Sequence, residues 1–238
     1  MTTLLTAGCS FTKDNYQLTW ADYLAQDLGY TLINVAGRGA GIDFVFKRTM
    51  YQCLISNPTL AVIMLPSIDR FDWYIDDNHP LVNSALSISS WQNGKTPSFV
   101  KIDGTLSEKE GYVLSGGEIR GDKKYYYKFY HNESSALIHY WSTIYSLENF
   151  FKIKKIPYYF TMAYNKDHLV EQTSNLTGHY NQHRFLLDAI DWSKFIFYKK
   201  DQGFLSFAKD NNYKIIHHHP ETKAHFDWVK HAMLPYIK

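Results

Sequence analysis

The chain has 238 residues, of which 45% are hydrophobic and 20% charged, and its formal net charge is +2. That length and balance fit one globular domain with room for an insertion, and give no electrostatic case for a nucleic-acid or membrane partner. The two cysteines, Cys9 and Cys53, are too few for a disulfide framework or a metal cluster, and no apolar run approaches the roughly 20 residues a membrane span needs.

In chain order, Leu4, Leu5 and Ala7 form a short apolar run that stops at Gly8, a first strand followed by a turn. Trp20, Tyr23, Leu24 and Leu28 recur at helical spacing, with Gly29 placed to cap the helix. Residues 31–36 read as a second strand running into Gly37, Gly39 and Gly41, residues 43–56 as a helix, and residues 60–65 as a fully buried third strand. This alternation, with continuously apolar strands, predicts a parallel sheet covered on both faces. From about residue 70 to 130 the rhythm breaks into polar stretches studded with aromatics such as Phe71, Trp73 and Tyr125 to Tyr127. This reads as an insertion of loops with a β-hairpin, serving as a packed lid, a substrate-binding wall or both. A helix over 134–151 and a fourth strand over 157–163 follow. Then come a helix over 181–190, a short segment over 195–197 and a helix over 202–210. Residues 213–216 are expected to be the last strand or its stub, and a closing helix runs from about 221 to 236.

In an open parallel sheet, ligands bind beyond the carboxyl ends of the strands. The first strand ends in Gly8-Cys9-Ser10-Phe11, the second in Asn34-Val35-Ala36-Gly37-Arg38-Gly39, and the third in Pro66-Ser67-Ile68-Asp69-Arg70. His217, His218 and His219 follow the final strand-like segment. A serine, glycine turns and a histidine thus meet on one rim, as nucleophilic acyl transfer requires. A dinucleotide fingerprint, a P-loop and the G-x-S-x-G elbow are all absent.

Three blocks in this order resemble the SGNH (GDSL-like) hydrolases, and in particular the divergent "GCSFT" type of phages and environmental bacteria. Gly8-Cys9-Ser10-Phe11 is similar to the first block, Asn34-x-Ala36-x-x-Gly39 to the second, and His219-Pro220 before an amphipathic helix to the last. The resemblance implies a three-layer α/β/α flavodoxin-like fold over the whole chain, with the insertion at about 70–130. It implies a serine esterase in which Ser10 attacks an ester carbonyl, His219 is the general base, and the amides of Ser10 and Gly39 hold the oxyanion. Cys9 stands where the family often has Asp. The expected substrate is a small-molecule or glycan ester, with an acetyl group on a carbohydrate as the specific reading, and no cofactor or metal is expected.

Two family positions differ. No Asn follows the third strand, which leaves Ser67 as a weaker oxyanion donor. Ile216 stands where the family has the Asp that orients the base, so His219 is oriented by a backbone carbonyl, by a carboxylate from elsewhere, or not at all. Asp69, Arg70, Trp73, His217 and His225 are candidate pocket residues. His225 is expected to pack or hydrogen-bond near the site, and Asp69 with Arg70 to form an ion pair or line the pocket. Two other readings stand beside the esterase. One is a binding or structural protein on the same scaffold; the other is a metal site with His217 and His219 on one strand face. With no signal-peptide pattern at the amino terminus, a cytoplasmic protein is expected, viral within a host cell if the phage resemblance holds.

Overall fold

Every residue of Leu60–Leu65 is buried, as a strand covered on both faces requires. In the computed structural model, which describes residues 1–14, 16–76, 99–107, 110–114, 123–165 and 183–237, this strand (β3) is the centre of a five-stranded parallel sheet. Its neighbours are Thr3–Ala7 (β1) and, on the other side, Tyr158–Met162 (β8); the outer positions belong to Thr31–Asn34 (β2) and Phe195–Ile196 (β9). The order β2-β1-β3-β8-β9 is that of the flavodoxin-like doubly wound sheet.

The period-two alternation of strand side chains divides the core between the two faces. Leu5, Ala7, Ala61, Ile63 and Leu65 pack beneath Ile42–Ser56 (α2) and the long helix Glu133–Lys154. Leu4, Leu60, Val62 and Met64 pack beneath Trp20–Leu28 (α1), Phe204–Asp210 and Thr222–Trp228. The three layers follow from that division. Winding reverses between β1 and β3: the chain leaves β1 for one edge and later builds outward from β3 to the other. The ends of these two strands therefore flank the crevice where such sheets bind ligands.

The insertion is more regular than the sequence indicates. Asp72–Ile75 (β4), Phe99–Val100 (β5), Leu106–Ser107 (β6) and Gly111–Leu114 (β7) form an antiparallel sheet of order β4-β7-β5-β6. Lys123–Phe129 (α3) leads back to the long helix (α4), and Arg184–Ala189 (α5) precedes β9. The expected helix over 181–190 begins outside the described residues.

One strand is placed differently from expectation. The last strand of the main sheet is β9, not residues 213–216. Phe195 and Ile196 are buried and pair with β8, whereas Ile215 and Ile216 are exposed. After Phe204–Asp210 (α6), Ile215–Ile216 (β10) pairs instead with His219–Pro220 (β11) in a two-stranded antiparallel ribbon. The closing helix, Thr222–Trp228 (α7), continues as a wider π turn over Val229–Met233.

Candidate active site

Ser10 sits in a turn just beyond β1 that only glycine permits at position 8. Gly8 has φ +153°, and a Cβ there would lie 2.4 Å from Thr12 Oγ1 and 2.7 Å from the Met64 carbonyl oxygen. Thr12 N donates to the Cys9 carbonyl at 2.9 Å, closing the turn. Asn34, from the end of β2, braces it by donating from Nδ2 to the Thr12 carbonyl at 2.8 Å. Gly37 N donates to the Gly8 carbonyl at 3.1 Å, so the loops after β1 and β2 form one unit. Gly39 has φ +77°. Among the described residues, neither the Ser10 nor the Gly39 amide donates a backbone hydrogen bond.

The ribbon brings in His219. The Nε2–Ser10 Oγ distance is 2.8 Å, and the Nδ1–His217 carbonyl distance is also 2.8 Å. Since a carbonyl only accepts, Nδ1 carries the proton and Nε2 presents its lone pair to the serine hydroxyl. This is the tautomer a general base needs. The backbone achieves it at a cost: His217 and His218 have φ of +48° and +67°. Two successive positive φ values are what a two-residue type I′ hairpin loop demands. Burial and the charges of Arg38 and Arg70 lower the His219 pKa, against an opposing pull from the His217 carbonyl and Asp14. These effects favour the neutral form of the imidazole.

His225 is buried, and burial pushes its pKa down to about 3. Its Nδ1 accepts from Trp20 N at 3.2 Å, and it also bonds the Pro220 carbonyl. Gln17 Nε2 donates to that same carbonyl at 3.1 Å. A neutral imidazole thus ties the first turn of α1 to the residue after His219.

The other candidates divide. Ser67 Oγ donates to Asp69 Oδ2 at 3.0 Å, so its hydroxyl is engaged within its own loop. Asp69, Arg70 and Trp73 line a cavity of about 330 Å³ between β4, α3 and the starts of α2 and α4. Trp73 stands against Phe71 and Tyr126, whose rings stack at 3.7 Å. Ser10 and His219 do not line this cavity; Arg70 borders both regions, since its guanidinium also lies against Cys9 and Tyr164. Asp69 and Arg70 do not pair with each other among the described ion pairs; Asp69 is engaged by Ser67, and its carbonyl accepts from Tyr127 Oη at 2.6 Å. The expectation that His217 and His219 share a strand face fails, because His217 lies in the turn and both His219 nitrogens are engaged. Among the described residues no group of three or more His, Cys, Asp or Glu could hold a metal ion. No described helix is long and apolar enough to cross a membrane.

Sequence reasoning missed Tyr140, Gln17 and Asp72. Tyr140 Oη donates to the Pro66 carbonyl at 2.6 Å and pins the end of β3. Gln17 lies in a polar loop with no pattern around it; a tyrosine on the buried face of α4 reads only as core.

No family model matches the chain, nor does any curated protein. Solved structures with a related chain path include a putative lipolytic protein of the G-D-S-L family from Desulfitobacterium hafniense DCB-2, at 12% identity. That match has a TM-score of 0.49 and covers 100% of this chain and 98% of the other. A catalytic mutant of Axe2, an acetylxylan esterase from Geobacillus stearothermophilus, matches at 13% identity and TM-score 0.44, over 96% of this chain and 91% of that one. The acetyl xylan esterase Est2A from the rumen bacterium Butyrivibrio proteoclasticus matches at 12% identity and TM-score 0.40, over 100% of this chain and 65% of that one. Likeness of this degree leaves the chemistry to be argued from the site itself.

Proposed function

We propose that the chain is a serine ester hydrolase of the SGNH type that works through a Ser10–His219 dyad. The observation that carries this is the 2.8 Å contact between Ser10 Oγ and His219 Nε2, with Nδ1 fixed on the His217 carbonyl. In acylation, Ser10 Oγ bonds to the ester carbon as its proton passes to His219 Nε2, and the carbonyl π electrons move to oxygen. The amides of Ser10 and Gly39 receive that oxyanion. Collapse breaks the bond to the leaving alkoxide, which takes the proton from His219. Water, deprotonated by His219, then repeats the sequence on the acyl-serine, releases the acid and restores Ser10.

The substrate reading is a small acyl group, such as acetyl, on a carbohydrate. The aromatic rings of Phe71, Trp73 and Tyr126, in the neighbouring cavity that Arg70 also borders, support it, since such rings suit the faces of sugars. The backbone carbonyl in place of a carboxylate favours one second reading, a scaffold that binds without turnover. Hydrolysis of p-nitrophenyl acetate decides between them. Ser10→Ala and His219→Ala are each expected to lower kcat by roughly 10³-fold or more. Activity that survives both substitutions sinks the dyad, and an inert wild type favours the binding scaffold.

A further inference from the structure

The proposed dyad leaves one part of the chemistry short of donors. The dyad reading assigns the oxyanion to two amides, the loop after β3 offers no Asn, and Ser67 is occupied by Asp69. The remaining polar group of that loop is Arg70. Its guanidinium lies against Cys9, the residue next to the nucleophile, and Tyr164, just past β8. Its Nη1 also lies 3.5 Å from the carbonyl of Ala40, the residue next to Gly39. Three contacts therefore place the cation between the loop carrying the nucleophile and the loop carrying the oxyanion glycine, at the reversal point of the sheet. A guanidinium has five N–H donors in a rigid fork, more than these contacts use.

We propose that Arg70 is a catalytic residue that completes the oxyanion site, presenting guanidinium N–H groups and a fixed positive charge to the carbonyl oxygen of an ester attacked by Ser10. This rests on the hydrolase reading. The cation gains most in the tetrahedral state, where the oxygen bears a full charge, and little in the ground state, where it does not. Arg70 also faces His219 together with Arg38, and Asp14 opposes them. The same charge that receives the oxyanion adds, after burial and Arg38, to what keeps the base unprotonated.

The test is steady-state hydrolysis of p-nitrophenyl acetate by Arg70→Met and Arg70→Lys, beside NMR titration of His219 in each. Arg70→Met is expected to lose roughly 10²–10³-fold in kcat with little change in KM, the cost of removing an oxyanion donor. Its His219 is expected to titrate at higher pH than in the wild type. Arg70→Lys, which keeps the charge, is expected to recover at least about tenfold of that loss and the wild-type titration. A purely structural arginine would not lower kcat selectively; its nearby charge would shift the His219 titration in either case. A folded Arg70→Met that keeps its kcat, beside a wild type inactivated by Ser10→Ala, overturns this proposal alone. A wild type inert toward the ester, with Ser10 unlabelled by a fluorophosphonate, overturns the hydrolase reading and this proposal together. If Arg70→Met does not fold, Arg70→Lys decides: turnover well above that of Ser10→Ala upholds the charge, and turnover reduced to that level overturns it.

Discussion

At the residue scale, His219 is set by its burial and by groups it does not own: the His217 carbonyl and the charges on Arg38 and Arg70. Because burial and those cations lower the His219 pKa, the neutral form persists below the usual histidine range. His225, whose charge would act on His219, adds none at working pH. The acid limb of kcat/KM is therefore expected to fall with a midpoint below about 6.5, the ordinary histidine value. A pH–rate profile checks this, and a midpoint above that value would contradict the geometry. The rings of His217 and His218 are exposed and only their backbone is used. The double substitution His217→Asn, His218→Gly suits a type I′ turn and is expected to retain turnover while raising the melting temperature by a few degrees. A metal-binding histidine cluster would instead lose activity. Ser10 and His219 were legible in the sequence because blocks at strand ends expose them. The carbonyl that orients the base was only one of three options there, since a main-chain acceptor leaves no letter in a sequence.

At the scale of elements, the start of α2 depends on a neighbour. Its N-cap is Gly41, which has no side chain to offer, and Asp72 from β4 accepts instead from Gly41 N and Phe44 N at 2.9 Å each. That buried carboxyl is pushed up to about 6 by desolvation, against the pull of those two amides. Asp72→Ala leaves buried N–H groups without an acceptor and is expected to cost about 1–3 kcal/mol in a denaturant titration. It also loosens the joint between the insertion and the glycine loop of the site. The sequence showed the three opening strands plainly, because each is an apolar run closed by glycine or proline. It concealed β9, whose two residues are too few to show a period, and offered Ile215 and Ile216 as a more apolar substitute. Pairing partners, not propensity, decided between them.

For the whole molecule, two cores on opposite faces of one sheet share its strands, and the ionisable groups buried among them govern acid stability. His225 is held at about 3 in the fold, so between there and the ordinary value near 6.5 the unfolded chain binds a proton that the native state refuses. Stability falls as pH falls through that window. Asp72, held at about 6, acts in the opposite sense between there and the ordinary carboxylate range, but over a narrower gap. The net expectation is a lower melting temperature at pH 4 than at pH 7, with the slope reduced in His225→Gln; calorimetry across that range measures both. A slope unchanged by the substitution would mean that His225 is not the group being protonated. The layered architecture was legible from alternation alone. Of the antiparallel sheet in the insertion only a hairpin was legible, because β5 and β6 have two residues each.

The two-stranded ribbon that carries His219 shares no hydrogen-bonded ladder with the main sheet. Its links to the body are His219, which meets Ser10 and Phe11; Pro220, held by Gln17 and His225; and the helices α6 and α7 on either side. Such a piece can open while the sheet stays intact. Heat or mild denaturant would then disarm the protein before melting it: turnover would vanish ahead of the loss of helical signal and return at once on cooling. Amides 214–221 would exchange with solvent faster than those of β1 and β3. A folded but silent population of this kind would make activity a poor gauge of how much native protein a sample contains.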